Sequence, residues 1–202
     1  MHPLIARFTA RRGSAWWPPT GAVRAALAIA MTAGSSVALA QSRGPCDWTL
    51  TASSPAAVVS QGSQAIYLQG DGGVMFLFST TGTGFVATGT LMVSEFNGLG
   101  TYAVGMPANA DRQGSGASFM IQLPAGGWLA LGAGDGSDVL DQGKTIGTLP
   151  SPSRLTITWQ KAGEIRGDLS GTFYDLMAIG STPRRVVLVP VHLVFTAKPV
   201  CR

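Results

Sequence analysis

Glycine interrupts this chain too often for a long helix to form. From Gln41 onward, 24 of the 162 residues are glycine, three of the chain's 27 lying earlier, and they recur every few positions between short apolar runs. A glycine inside a helix costs about 1 kcal/mol relative to alanine, and glycine punctuates turns. The intervening segments read as strands: Trp48 to Thr51, Ala56 to Ser60, Ala65 to Gln69, Val74 to Ser79, Phe85 to Ser94, Thr101 to Val104, Ser118 to Leu123, Trp128 to Leu131, Leu155 to Gln160, Ile165 to Tyr174 and Val186 to Thr196. Turns at this interval predict an all-β fold of about 9–11 short strands, an antiparallel β-sandwich or a partly open β-barrel, with no long helix.

Periodicity is clearest in the last third. Leu155, Ile157 and Trp159 alternate with polar residues, so a strand places them on one face. Lys161-Ala162-Gly163 then turns the chain, with Gly163 free to take a positive φ. The return strand keeps the period through Ile165, Gly167, Leu169, Gly171 and Phe173. In the final strand Val187, Val189, Val191, Leu193 and Phe195 share a face, and Pro190 on the other predicts an edge strand or a bulge.

Residues 1–40 read as a cleaved secretory signal peptide, leaving 41–202 as one domain. Arg7, Arg11, Arg12 and Arg24 precede an apolar run from Ala25 to Ala33, and Ala38-Leu39-Ala40 offers a small-residue cleavage site before Gln41. The run falls short of the roughly 20 apolar residues that span a bilayer, so no integral span is expected after cleavage. The pair Arg11-Arg12 lies too far from the apolar run for the twin-arginine route, which favours general secretion. Four of the 14 Lys and Arg residues leave with the leader and none of the 10 acids does, so 10 face 10 in the remainder. Net charge therefore gives no support to a nucleic-acid surface. The two cysteines, Cys46 and Cys201, lie at opposite ends of the mature segment, as expected for one disulfide in an oxidising periplasmic or extracellular compartment. Closing a loop of that length stabilises a fold by about 5 kcal/mol.

At the C-terminal hairpin, Leu155-Thr156-Ile157-Thr158 followed by Ile165-Arg166-Gly167-Asp168-Leu169-Ser170-Gly171-Thr172-Phe173 resembles the G-x-x-S-G-T-F hairpin of uncharacterised bacterial secreted all-β proteins. The resemblance covers about the last 80 residues. It implies an exported sandwich or barrel of unknown function and carries no catalytic residue across.

Candidate chemistry is sparse. His192, the one histidine after the leader, falls on the polar face of the last strand, where a surface position is favoured over a general base. No G-x-S-x-G elbow accompanies it. The loop Gly134-Asp135-Gly136-Ser137-Asp138-Val139-Leu140-Asp141 offers Asp135, Asp138 and Asp141 as oxygen ligands for Ca2+, although it departs from the EF-hand pattern and suits an ordinary hairpin loop better. Arg166-Gly167-Asp168 spells an integrin-binding tripeptide inside an expected strand, and Gly82-Thr83-Gly84 imitates a dinucleotide loop with no helix to follow. Glu95 and Glu164 are the only glutamates, and nothing in the pattern pairs them for glycoside hydrolysis.

Three functions compete. The favoured one is an exported non-catalytic domain that binds an unknown protein, glycan or envelope component through loops or a sheet edge, with residues 106–117 as the candidate loop. The second is a lipocalin-like carrier whose open interior would be lined by residues such as Met75, Phe76, Met92, Phe119, Met120 and Trp128. A hydrolase of unknown substrate is the third; it requires His192 in a cleft beside an acid and a Ser or Thr.

Overall fold

A computed structural model describes residues 44, 46–53, 57–80, 87–105 and 114–201. The expected signal peptide and cleavage site, the Gly82 motif and residues 106–113 of the candidate loop lie outside the described residues. In chain order the strands are β1 (Trp48–Ala52), β2 (Val58–Gly62), β3 (Gln64–Gly70), β4 (Gly73–Ser79), β5 (Ala87–Ser94), β6 (Gly100–Val104) and β7 (Gly116–Gln122). There follow β8 (Trp128–Ala133), β9 (Asp138–Asp141), β10 (Lys144–Thr148), β11 (Ser153–Lys161), β12 (Glu164–Asp175), the short helix α1 (Leu176–Gly180) and β13 (Leu188–Ala197). All eleven expected strands form, and β9 and β10 are added as a separate ribbon.

The glycine and apolar periods produce one antiparallel sheet, nearly closed into a barrel, with β12 as its hub. Along one side β12 pairs with β13 from Ile165↔Ala197 to Tyr174↔Leu188. Along the other it pairs first with β11 and then, through Phe173, Tyr174 and Asp175, with β8. The wall forks there: β11 leads to β6, while β8 leads through β7, β5 and β4 to β3. From β3 the wall returns to the end of β13, where Tyr67 N–H donates to Lys198 O at 3.0 Å and Lys198 N–H to Ala65 O at 3.1 Å. Beside this seam Cys46 and Cys201 form the expected disulfide, their Cα atoms 6.0 Å apart.

The interior is filled by rings. Phe195 lies 4.9 Å from Phe76 and 5.3 Å from Phe78, Phe78 continues to Trp48 at 5.9 Å and Phe119 at 6.0 Å, and Phe119 to Phe173 at 5.9 Å. Three of these side chains face a glycine directly across the strand pair: Trp48 opposite Gly62, Phe119 opposite Gly89 and Phe195 opposite Gly167. A Cβ at any of those glycines would overlap ring atoms of the side chain it faces. The glycines thus act as seats that let large rings share a narrow bore.

Two expectations are corrected. Trp159 does not share the buried face of Leu155 and Ile157: the register slips between Ile157 and Trp159, and the extra residue turns the indole outward, 43% exposed, with the Arg166 guanidinium 5.4 Å from its ring centre. Pro190 lies neither on an edge strand nor at a bulge, since β13 runs between β1 and β12 in continuous register. It sits one place beyond the last β1 pair, Ala52↔Val191, and its carbonyl still accepts Ser53 N–H at 3.1 Å, so the missing donor falls where the ladder ends.

Candidate functional site

On the outer wall His192 of β13 stands in register with Thr51 of β1 and Ser170 of β12. Its Nε2 lies 3.0 Å from Asp168 Oδ2, which is the orienting half of a general base with a hydroxyl on the adjacent position. The acid and the serine required by the hydrolase reading are therefore present, but among the described residues no cleft encloses them. Both side chains are about half exposed, at 53% and 42%, on open sheet surface. Water surrounds the pair, where a preorganised site would exclude it. The tripeptide Arg166-Gly167-Asp168 lies within β12, its arginine held 2.7 Å from Glu164 and its aspartate on His192. Glu164 also lies 3.6 Å from Lys198, so it serves an ion-pair cluster at the hairpin end.

The three candidate calcium ligands are drawn to separate partners. Asp135 accepts the N–H of Ser137 at 3.0 Å, Asp138 accepts the Thr148 hydroxyl at 2.7 Å, and Asp141 stands 3.9 Å from Arg184. Asp138 and Asp141 bound the four-residue β9, where strand alternation turns residues three apart to opposite faces. Ligands of one Ca2+ lie within about 5 Å of one another, and among the described residues no group of three or more His, Cys, Asp or Glu is placed to hold an ion. Asp135 has a different effect: burial raises the ionisation of the Tyr174 phenol above its usual range, and the Asp135 charge adds to that rise.

The proposed carrier lining divides between the two sides of the wall. Phe76 and Phe119 belong to the interior ring cluster, whereas Met92, Met120 and Trp128 are exposed at 41 to 45%. On the outside, Leu68, Met75 and Met92 stand side by side in register across β3, β4 and β5. They border a groove of about 480 Å3 that ends at Gly72, Gly73 and Ser94.

A second groove of about 480 Å3 lies between β6 and the end of β5, lined by Ser94, Glu95, Leu99, Thr101, Ala103 and Ser115 among others. Tyr102 fixes its floor. The phenol stacks on Phe96 at 5.6 Å, its oxygen lies 2.7 Å from both Asn97 Oδ1 and Gly98 O, and it accepts Asn97 N–H at 3.2 Å. Glu95 occupies the rim with φ 54°, a left-handed conformation that costs a side-chain-bearing residue about 1–2 kcal/mol. Its N–H donates to Gly72 O at 3.2 Å. Strand pattern alone did not reveal this groove, because β6 reads as any other short strand and an unpaired edge is a property of topology.

Among the described residues no helix is long and apolar enough to cross a membrane, a statement that leaves β-strand crossing untouched. Comparison with protein-family models, with curated proteins and with solved structures returned no match to this chain.

Proposed function

We propose that this protein is an exported, non-catalytic binding module that meets a protein, glycan or cell-envelope component through its outer wall and sheet edges. The observation carrying this reading is the packed bore. The ring chain from Trp48 through Phe78 and Phe195 to Phe76, with Phe119 and Phe173 beside it, occupies the place a carried ligand would need. The Cys46–Cys201 bridge supports delivery to an oxidising compartment, and the leader supports export.

Native mass spectrometry of the protein recovered without refolding from the periplasm or medium of an expressing bacterium tests this. The expected species is a bare chain beginning at Gln41 and lacking two hydrogens. A reproducible extra mass of a few hundred daltons would replace the module reading with the carrier. An uncleaved chain with free thiols would remove export.

A further inference from the structure

We infer that the open edge of β6 and the groove beside it form a docking slot for an extended polypeptide segment carrying a basic side chain. The inference rests on the binding-module reading and names where and what such a module would bind. Backbone groups of an antiparallel strand face alternate sides. Gly105, next after β6, turns its N–H away from β11 to Ser115 O at 2.9 Å. Alternation then directs the N–H and C=O of Ala103 and Thr101 to that same side. Among the described residues β6 pairs only with β11, so these groups meet no strand. From the Gly105–Ser115 contact the two walls diverge, β6 forming one lip and the Ser94–Glu95 end of β5 the other, with the groove between them.

Only another extended backbone supplies acceptors and donors at that spacing, which makes a polypeptide the fitting occupant. Its charge follows from Glu95. Among the described residues this carboxylate is the one charged side chain lining either groove and has no cation opposite it, and a strained backbone holds it at the lip. Ser94 lines both grooves, so a strand laid along β6 leads towards Leu68 and Met92, where an apolar side chain finds cover.

The test titrates the folded protein with two synthetic hexapeptides of alternating Val and Thr, one with a central Lys and one with Glu in its place, followed by amide chemical shifts. The expected result is that the Lys peptide moves the Thr101 and Ala103 amides and binds about tenfold or more tighter than its Glu twin. Glu95→Gln removes that preference. Ala103→Pro deletes a donor facing the open edge and none facing β11, and it weakens both peptides about tenfold. A Lys peptide N-methylated on alternate residues does the same with unaltered protein, which covers a misfolded proline variant. Equal binding of the twins, unchanged binding by Ala103→Pro, or no shift at β6 overturns the slot. If a purified partner still binds the Ala103→Pro and Glu95→Gln variants with unchanged affinity, the slot is rejected while the module reading stands.

Discussion

Replacing Gly167 with alanine tests the glycine-seat packing directly. The new Cβ would overlap Phe195 Cζ, lie 2.7 Å from Phe195 Cε1 and 3.2 Å from Ile157 Cδ1, where carbon contacts settle at about 3.5–4.0 Å. Phe195 has little room to yield: it is 1% exposed, with Phe76 and Phe78 at 4.9 and 5.3 Å. Overpacking of this kind costs about 1–3 kcal/mol, and the boxed ring places Gly167→Ala near the upper end. At about 2–4 °C per kcal/mol for a chain of this size, the melting temperature should fall by roughly 6–12 °C. Gly70→Ala is the control, because no atom lies within 4 Å of its added Cβ, and it should change stability by less than about 0.5 kcal/mol. Urea and thermal unfolding followed by circular dichroism, with the disulfide intact, measure both. The double variant Gly167→Ala/Phe195→Leu should recover at least about 1 kcal/mol relative to the sum of the single losses. A melting temperature within 2 °C of the parent for Gly167→Ala, or strict additivity in the cycle, would refute the seat.

Opening the Cys46–Cys201 bridge by paired serine substitutions should cost about 5 kcal/mol of loop-closure entropy, read as a lower urea midpoint with an increased m value. Ala162 occupies the β11–β12 turn at φ 53°, so Ala162→Gly should stabilise by roughly 1 kcal/mol in the same assay, and a loss would show that the turn is not held left-handed. The Tyr174 phenol ionises above its usual range because it is buried and then because Asp135 is negative. The unfolded chain therefore releases that proton first, and stability falls as pH rises above about 10. Tyr174→Phe should flatten the decline between pH 9 and 11; parallel pH curves for parent and variant would contradict this.

The strand content was legible because nearly every inward position is apolar or glycine, Ser60 and Ser153 being polar exceptions, so Leu155, Ile157, Leu169 and Phe173 announce their face from sequence alone. The role of the glycines was only half legible. Gly163 reads as a turn, but Gly167 and Gly89 are seats for rings on neighbouring strands, and cross-strand register is invisible in one sequence. Trp159 misled for the same reason, since the bulge that turns it outward belongs to the pairing with β12. The β9–β10 ribbon escaped because Gln142, at φ 49°, takes a turn position that asparagine usually signals. At the candidate site, His192 was placed on the correct face by alternation, whereas the open edge of β6 emerges only where β12 divides its second side between β11 and β8.

The position of β13 also sets a timetable. This strand is made after every other described strand, yet it fills the space between β1 and β12. Until residues 188–197 arrive, β1 and β12 both present bare flanks, and the most distant contacts in the chain cannot form. The chain thus cannot commit to its fold before those residues have been made. That delay leaves two strand flanks open to pairing with other chains until β13 closes them.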